Sequence, residues 1–163
     1  MSSSGEEKMK KQRVVLASGV FDLLHLGHVK FLEEAKRAGG EGSKLIVVVA
    51  RDSTVQRMKG AKPIITEENR RALVEALKVV DEAILGFEEM DIGKVLESVK
   101  PDVVAVGYDQ DGIEAEVKRV IAEKALPVEV VKIGKFLSED IDSSTNIKRK
   151  IAENYGKVVG HKK

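Results

Sequence analysis

Short apolar runs alternate with segments of helical periodicity along most of this 163-residue chain, and that alternation restricts the fold more than any other feature. Residues 14–17 and 45–50 are β-rich and apolar, and between them Leu26, Val29, Phe31, Leu32 and Ala35 recur at helical spacing, which makes a βαβ unit. Gly39, Gly40 and Gly42 end the helix, because glycine accepts the backbone conformations of C-caps and tight turns. Thr66 reads as the N-cap of another helix, with Glu67 and Glu68 in its first turn and Leu73, Val74, Leu77 and Val80 as its apolar face. Residues 79–85 turn into a strand. Asp91 caps a helix through Val99, Pro101 stops it, and 103–106 is a wholly apolar strand of the kind buried on both faces. Val117, Val120, Ile121 and Ala125 mark a further helix, Pro127 breaks it, 128–133 is the last strand, and a final helix covers 143–155. This order predicts an α/β fold: one doubly wound, mainly parallel sheet of about five strands in a single domain. Ligands of such sheets bind beyond the carboxyl ends of the strands, so the loops after Ala17, Ala50, Val106 and Ile133 form the candidate site.

The length suits one domain, placed at 13–155, with a solvated tail at 1–12 and a basic one at 156–163. Twenty-eight Lys and Arg against 27 Asp and Glu give a net charge of +1, so any phosphate binding must be local and nucleic acid is not the expected partner. Cysteine is absent, which excludes disulfides, thiolate catalysis and Cys-ligated zinc. The N-terminal stretch lacks the apolar run of a signal peptide and no segment is apolar for long enough to span a bilayer, so a cytoplasmic protein without a membrane partner is expected.

The densest chemical signal follows the first strand, in Ser18-Gly19-Val20-Phe21-Asp22-Leu23-Leu24-His25-Leu26-Gly27-His28. Two histidines flank a glycine at a helix start, where unpaired N–H groups and the helix dipole favour phosphate and Gly27 permits close approach. His25 and His28 add donors. An isolated pair at this spacing is also what one helical turn produces without any role, and a metal site would need a third ligand that the cluster does not supply.

The stretch from Gly19 to His28 resembles the G-x-F-D-x-x-H-x-G-H signature of the HxGH nucleotidyltransferases, a family that includes cytidylyltransferases and the adenylyltransferases of coenzyme synthesis. The resemblance implies a Rossmann-like sheet, with Gly19, Val20, Phe21, Asp22, His25, Gly27 and His28 holding nucleotide. It extends to Asp52 and to Lys59-Gly60-Ala61-Lys62-Pro63-Ile64-Ile65, where Lys59 or Lys62 would reach a phosphate, and to Glu68-Asn69-Arg70-Arg71, where Arg70 is preferred over Arg71. Gly107-Tyr108-Asp109-Gln110 is similar to the loop beside base and ribose, assigning Gly107 and Asp109. Ile141-Asp142-Ser143-Ser144-Thr145-Asn146-Ile147 resembles the segment opening the last helix, where Ser143, Ser144 and Thr145 would hold the leaving pyrophosphate. An ordinary Ser N-cap would account for Ser143 alone. The family commonly has an arginine shortly before that segment; here Lys135 or Lys148 must substitute, or the contact is absent.

The family reaction is displacement at the α-phosphorus of a nucleoside triphosphate by a substrate phosphate, which implies His25, His28, Lys59 and Arg70 as its catalytic groups. A divalent metal, Mg2+, would bridge the triphosphate, assisted by Asp22. Residues 50–55, 62–65, 68–77 and 107–110 are most similar to archaeal FAD synthases, implying ATP and FMN as substrates. Small glycerol-3-phosphate cytidylyltransferases resemble the first and last motifs equally, so CTP remains open. Members of the family are often dimers, the only basis for expecting a homodimer. Two other classes compete: a nucleotide sensor without catalysis, and a nucleic-acid binder using Lys148-Arg149-Lys150, the latter opposed by the charge balance and by only four Phe and two Tyr for stacking.

Overall fold

Valine and isoleucine dominate the strands because β-branched side chains pack well on a pleated surface covered from both sides. The computed structural model describes residues 11–89, 91–136 and 143–159. Five strands, β1 (Val14–Gly19), β2 (Lys44–Val49), β3 (Glu82–Leu85), β4 (Val103–Gly107) and β5 (Glu129–Ile133), pair in parallel in the order β3-β2-β1-β4-β5. Six helices connect or follow them: α1 (Leu26–Ala38), α2 (Asp52–Lys59), α3 (Glu67–Glu75), α4 (Ile92–Val99), α5 (Asp111–Lys124) and α6 (Ser144–Val159).

Alternate residues of each central strand supply two cores, one per face. Val15, Ala17, Val47, Val49, Val103 and Ala105 pack with Leu32 and Ala35 of α1 and Val74 of α3. Leu16, Ile46, Val48, Val104 and Val106 pack with Leu96 of α4 and Val117 and Val120 of α5. The chain winds outward from β1 to β3, then crosses to β4 and β5, so the direction of winding reverses between β1 and β4, the point at which sheets of this kind have their ligand crevice. No helix among the described residues is long and apolar enough to cross a membrane.

The predicted α/β sheet is the one observed, with several local differences. Helix α2 falls where the sequence predicts only loop; it starts with Asp52 in its first turn and ends at Gly60, whose φ of 77° is the left-handed C-cap that glycine accepts. Leu77 and Val80 lie beyond α3, so its apolar face is shorter than the periodicity implies, and β3 begins only at Glu82. Thr66 stands at the N-cap of α3 without a side-chain capping bond, whereas Asp91 accepts the Lys94 amide at 3.0 Å as expected. Helix α6 continues to Val159, past the expected end at Tyr155. The expected tails lie largely outside the described residues, as do Ile141 and Asp142.

Candidate active site

The chain leaves β1 at Gly19 and bends through an unusual loop before α1. Phe21 has φ 55° and Leu23 φ 51°, left-handed values that cost such side chains about 1–3 kcal/mol each. A Cβ at Gly19 would lie 2.9 Å from Phe21 Cζ, so only glycine lets the ring fold back on the strand end. Burial of that ring, 3% exposed, helps offset the strain. Asp22 anchors the loop. Its carboxylate accepts the Ile64 N–H at 2.8 Å and the Ile65 N–H at 3.0 Å, and Lys148 Nζ of α6 lies 3.4 Å away. Burial raises the Asp22 pKa, but these two amides and the ammonium outweigh it and hold the carboxyl below its ordinary value.

His25 and His28 cap one another's turn. Gly27 N–H donates to His25 Nδ1 at 3.1 Å, and His25 N–H donates to His28 Nδ1 at 3.2 Å. Both Nδ1 atoms therefore accept, which places the proton of each neutral ring on Nε2. The ring centroids are 3.8 Å apart and tilted by 31°. Burial, then the neighbouring His25, push the His28 pKa down to about 4 against a raising contribution from Asp22, so the ring is uncharged at neutral pH. The Gly27 amide, expected to approach phosphate, is spent on the His25 cap.

Arg70 has a different task from the one expected. Its guanidinium is fully buried, donating through Nε to the Ile65 carbonyl at 2.8 Å, through Nη1 to the Val20 and Ala50 carbonyls at 2.7 Å each, and through Nη2 to Asp52 at 2.7 Å. It binds three loops of the site together and faces none of the open crevice. Arg71 pairs with Glu75 at 3.0 Å on the surface. Arg51 and Glu67, given no site role by the sequence, extend the brace: they pair at 3.2 Å, and Arg51 Nε donates to the Gly86 carbonyl at 2.6 Å. Lys59 and Lys62 are exposed and carry no ion pair among the described residues. The Asp22 bonds to Ile64 and Ile65 tether the loop that carries Lys62 beside the signature turn.

Helix α6 docks on the same loop. Ser144 Oγ donates to the Asp22 carbonyl, Ser143 Oγ accepts the Asn146 N–H at 3.2 Å as an N-cap does, and Thr145 is exposed. Of the two candidate lysines, Lys148 faces Asp22 and Lys135 Nζ lies 5.7 Å from the Tyr108 ring centroid. Across the crevice, Gly107 packs against Asp109, where a Cβ would lie 3.1 Å from Asp109 Oδ1. Gln110, to which the sequence assigns no role, donates to the Ser18 carbonyl and accepts the Gly107 amide. Among the described residues no group of three or more His, Asp or Glu could hold a metal ion, and the Asp22 carboxylate is taken up by the Ile64 and Ile65 amides and Lys148.

A loop, a histidine pair and a helix N-terminus thus converge at the carboxyl end of β1, and the cytidylyltransferase-like family model matches residues 16–150, covering all of them. The chain belongs to the cytidylyltransferase-like family. It is 49% identical over 139 residues to an FAD synthase of Methanopyrus kandleri, covering 85% of this chain and 91% of that one. An FAD synthase of Thermoplasma volcanium is 47% identical over 142 residues, covering 87% and 96%. Among solved structures, a lipopolysaccharide core biosynthesis protein from Thermoplasma volcanium matches at 48% identity with a TM-score of 0.69, over 77% of this chain and 98% of that one. Pantothenate synthetase from Thermus thermophilus, 16% identical with a TM-score of 0.56 over 88% of this chain and 71% of that one, shares the fold alone. For this cytidylyltransferase-like chain, the expected Rossmann-like sheet and nucleotidyltransferase class both stand. Its signature histidines, Asp22, Ser143 and Ser144 form one contiguous cluster, while Arg70 supports that cluster from beneath.

Proposed function

We propose that the chain is an FAD synthase, transferring AMP from ATP to FMN. An FMN phosphate oxygen forms a bond to the α-phosphorus as the α–β bridging bond breaks, and pyrophosphate leaves. The observation that carries this reading is the reciprocal capping of His25 and His28, in which each Nδ1 accepts a backbone amide and the His28 ring, uncharged at neutral pH, keeps its proton on Nε2 at the N-terminus of α1. A neutral donor suits charge that develops on the α-phosphate oxygens, because it stabilises them without releasing a proton. The dipole of α1 adds positive potential at the same point. Lys59 or Lys62 would neutralise phosphate, and the hydroxyls of Ser143, Ser144 and Thr145 at the α6 N-terminus would meet the pyrophosphate. Arg70 and Asp22 hold these parts in register. Magnesium belongs to this reading as the counter-ion carried in on the triphosphate, not as a resident of the protein.

Relatives about 43–49% identical named FAD synthase support the substrate pair. Incubation of the protein with ATP and FMN should yield FAD and pyrophosphate in equal amounts. Absence of flavin product, with pyrophosphate released from CTP and glycerol 3-phosphate, would replace this assignment by the cytidylyltransferase one.

A further inference from the structure

Strand β1 lies between β2 and β4, and its odd-numbered residues face β2: the Arg13 carbonyl accepts the Lys44 N–H at 2.8 Å and the Gly19 carbonyl accepts the Ala50 N–H at 2.9 Å. Successive residues of a strand inside a sheet turn their peptide groups to opposite neighbours, so the even-numbered residues face β4. The register Val15↔Val103, Leu16↔Val104, Ala17↔Ala105, continued by one step, would bring the Ser18 carbonyl to the Gly107 N–H. Pairing stops short of that rung. The Gln110 carboxamide stands in its place, accepting the Gly107 N–H on Oε1 at 2.8 Å and donating from Nε2 to the Ser18 carbonyl at 3.0 Å.

The opening is confined to this one gap. β1 stays paired with β2 through Gly19↔Val49, and β4 with β5 through Gly107↔Ile133. Gln110 occupies the N-cap position of α5, yet its side chain makes no capping bond there. It turns back to the sheet instead, at the crevice where the winding reverses and where ligands of this fold enter.

We propose that Gln110 is a positioning residue for the nucleotide: its carboxamide is an inserted rung that props β1 and β4 apart and fixes the Gly107–Asp109 loop relative to Ser18 and Gly19. That the nucleotide is ATP rests on the function proposed above. Only a carboxamide of this length supplies one acceptor and one donor across the gap. Glutamate has the same shape but no donor, and sets a carboxylate oxygen against the Ser18 carbonyl. Alanine either leaves both peptide groups unmet or lets the rung close, narrowing the mouth. In each case the loop on the nucleotide side moves, while the Lys59–Ile65 segment, held by Asp22, does not.

The test is direct titration of ATP and of CTP onto wild type, Gln110→Ala and Gln110→Glu, with steady-state constants for ATP and FMN and a melting curve for each protein. Both variants are expected to weaken binding of whichever nucleotide the wild type takes, and to raise its KM, by about tenfold, with the KM for FMN within about twofold of wild type and native melting retained. Unchanged nucleotide affinity in both variants would overturn the proposal. So would nucleotide and FMN constants that worsen together in step with a lowered melting temperature, since that pattern marks a merely structural role. If the wild type binds ATP but makes no FAD, the acceptor assignment fails while the titration still decides the role of Gln110.

Discussion

Replacing His28 by asparagine keeps an acceptor where Nδ1 takes the His25 amide but removes the Nε2–H donor. His28→Asn should stay within about 1 kcal/mol of wild type by urea titration, as a retained cap should, while kcat falls by about 10²–10³ as for loss of one transition-state donor. Loss of stability without loss of turnover would make the ring a cap and nothing more. The pH dependence follows from the same burial. His28 titrates near 4 in the folded chain against an ordinary value of 6.5, so between those limits the unfolded state binds more protons. Its contribution to stability is therefore complete above pH 6.5 and is lost as pH falls toward 4. Urea midpoints measured at about pH 7 and about pH 5 should show this decline, reduced in His28→Asn. Asp22, whose pKa is also lowered, acts in the same direction but only below its ordinary value of 3.8, outside that interval. The histidine pair and its helix start were legible in the sequence because their geometry is local. The burial of Arg70 was not, since its partners Val20, Ala50 and Ile65 come together only when separate loops meet.

At the scale of elements, the site is a set of strand-end loops fastened to one another by two charged side chains. Arg70 ties the end of β1, the start of α2 and the turn before α3. Arg70→Met leaves Asp52 facing an apolar side chain and three carbonyls without donors, a loss expected to cost about 3–5 kcal/mol by urea denaturation. Arg71→Met, which removes pairs with the exposed Glu68 and Glu75 and a 3.3 Å bond to the Ala83 carbonyl, should cost less than about 2 kcal/mol. Equal effects would contradict the brace. Strand and helix order was readable because apolar runs and helical spacing are properties of short windows. Helix α2 escaped because its eight residues bury only Thr54 and Val55, too little to leave a periodic stripe. The periodicity overextends α3 because Leu77 and Val80 pack into the same core from the turn that follows it.

The whole molecule is a sheet whose winding reverses between β1 and β4, and every loop of the site projects from the carboxyl ends around that point. That placement was legible from the alternation of elements alone. The missing rung between Ser18 and Gly107 was not, because where a ladder ends depends on side chains that enter it from elsewhere. Ligand linkage follows at this scale: free ATP at about 100 times its Kd should stabilise the fold by about 2.7 kcal/mol, seen as a raised melting temperature, and CTP at the same concentration should do less. Transfer of the adenylyl group itself is measured most directly with ATP labelled at the α-phosphorus and FMN, following label and pyrophosphate through the first turnovers of wild type and His28→Asn. Label should appear in FAD, matched one for one by pyrophosphate, with none on the protein and a rate reduced by about 10²–10³ in the variant. Label that stays with the protein, or a variant as fast as wild type, would contradict direct displacement assisted by the histidine pair.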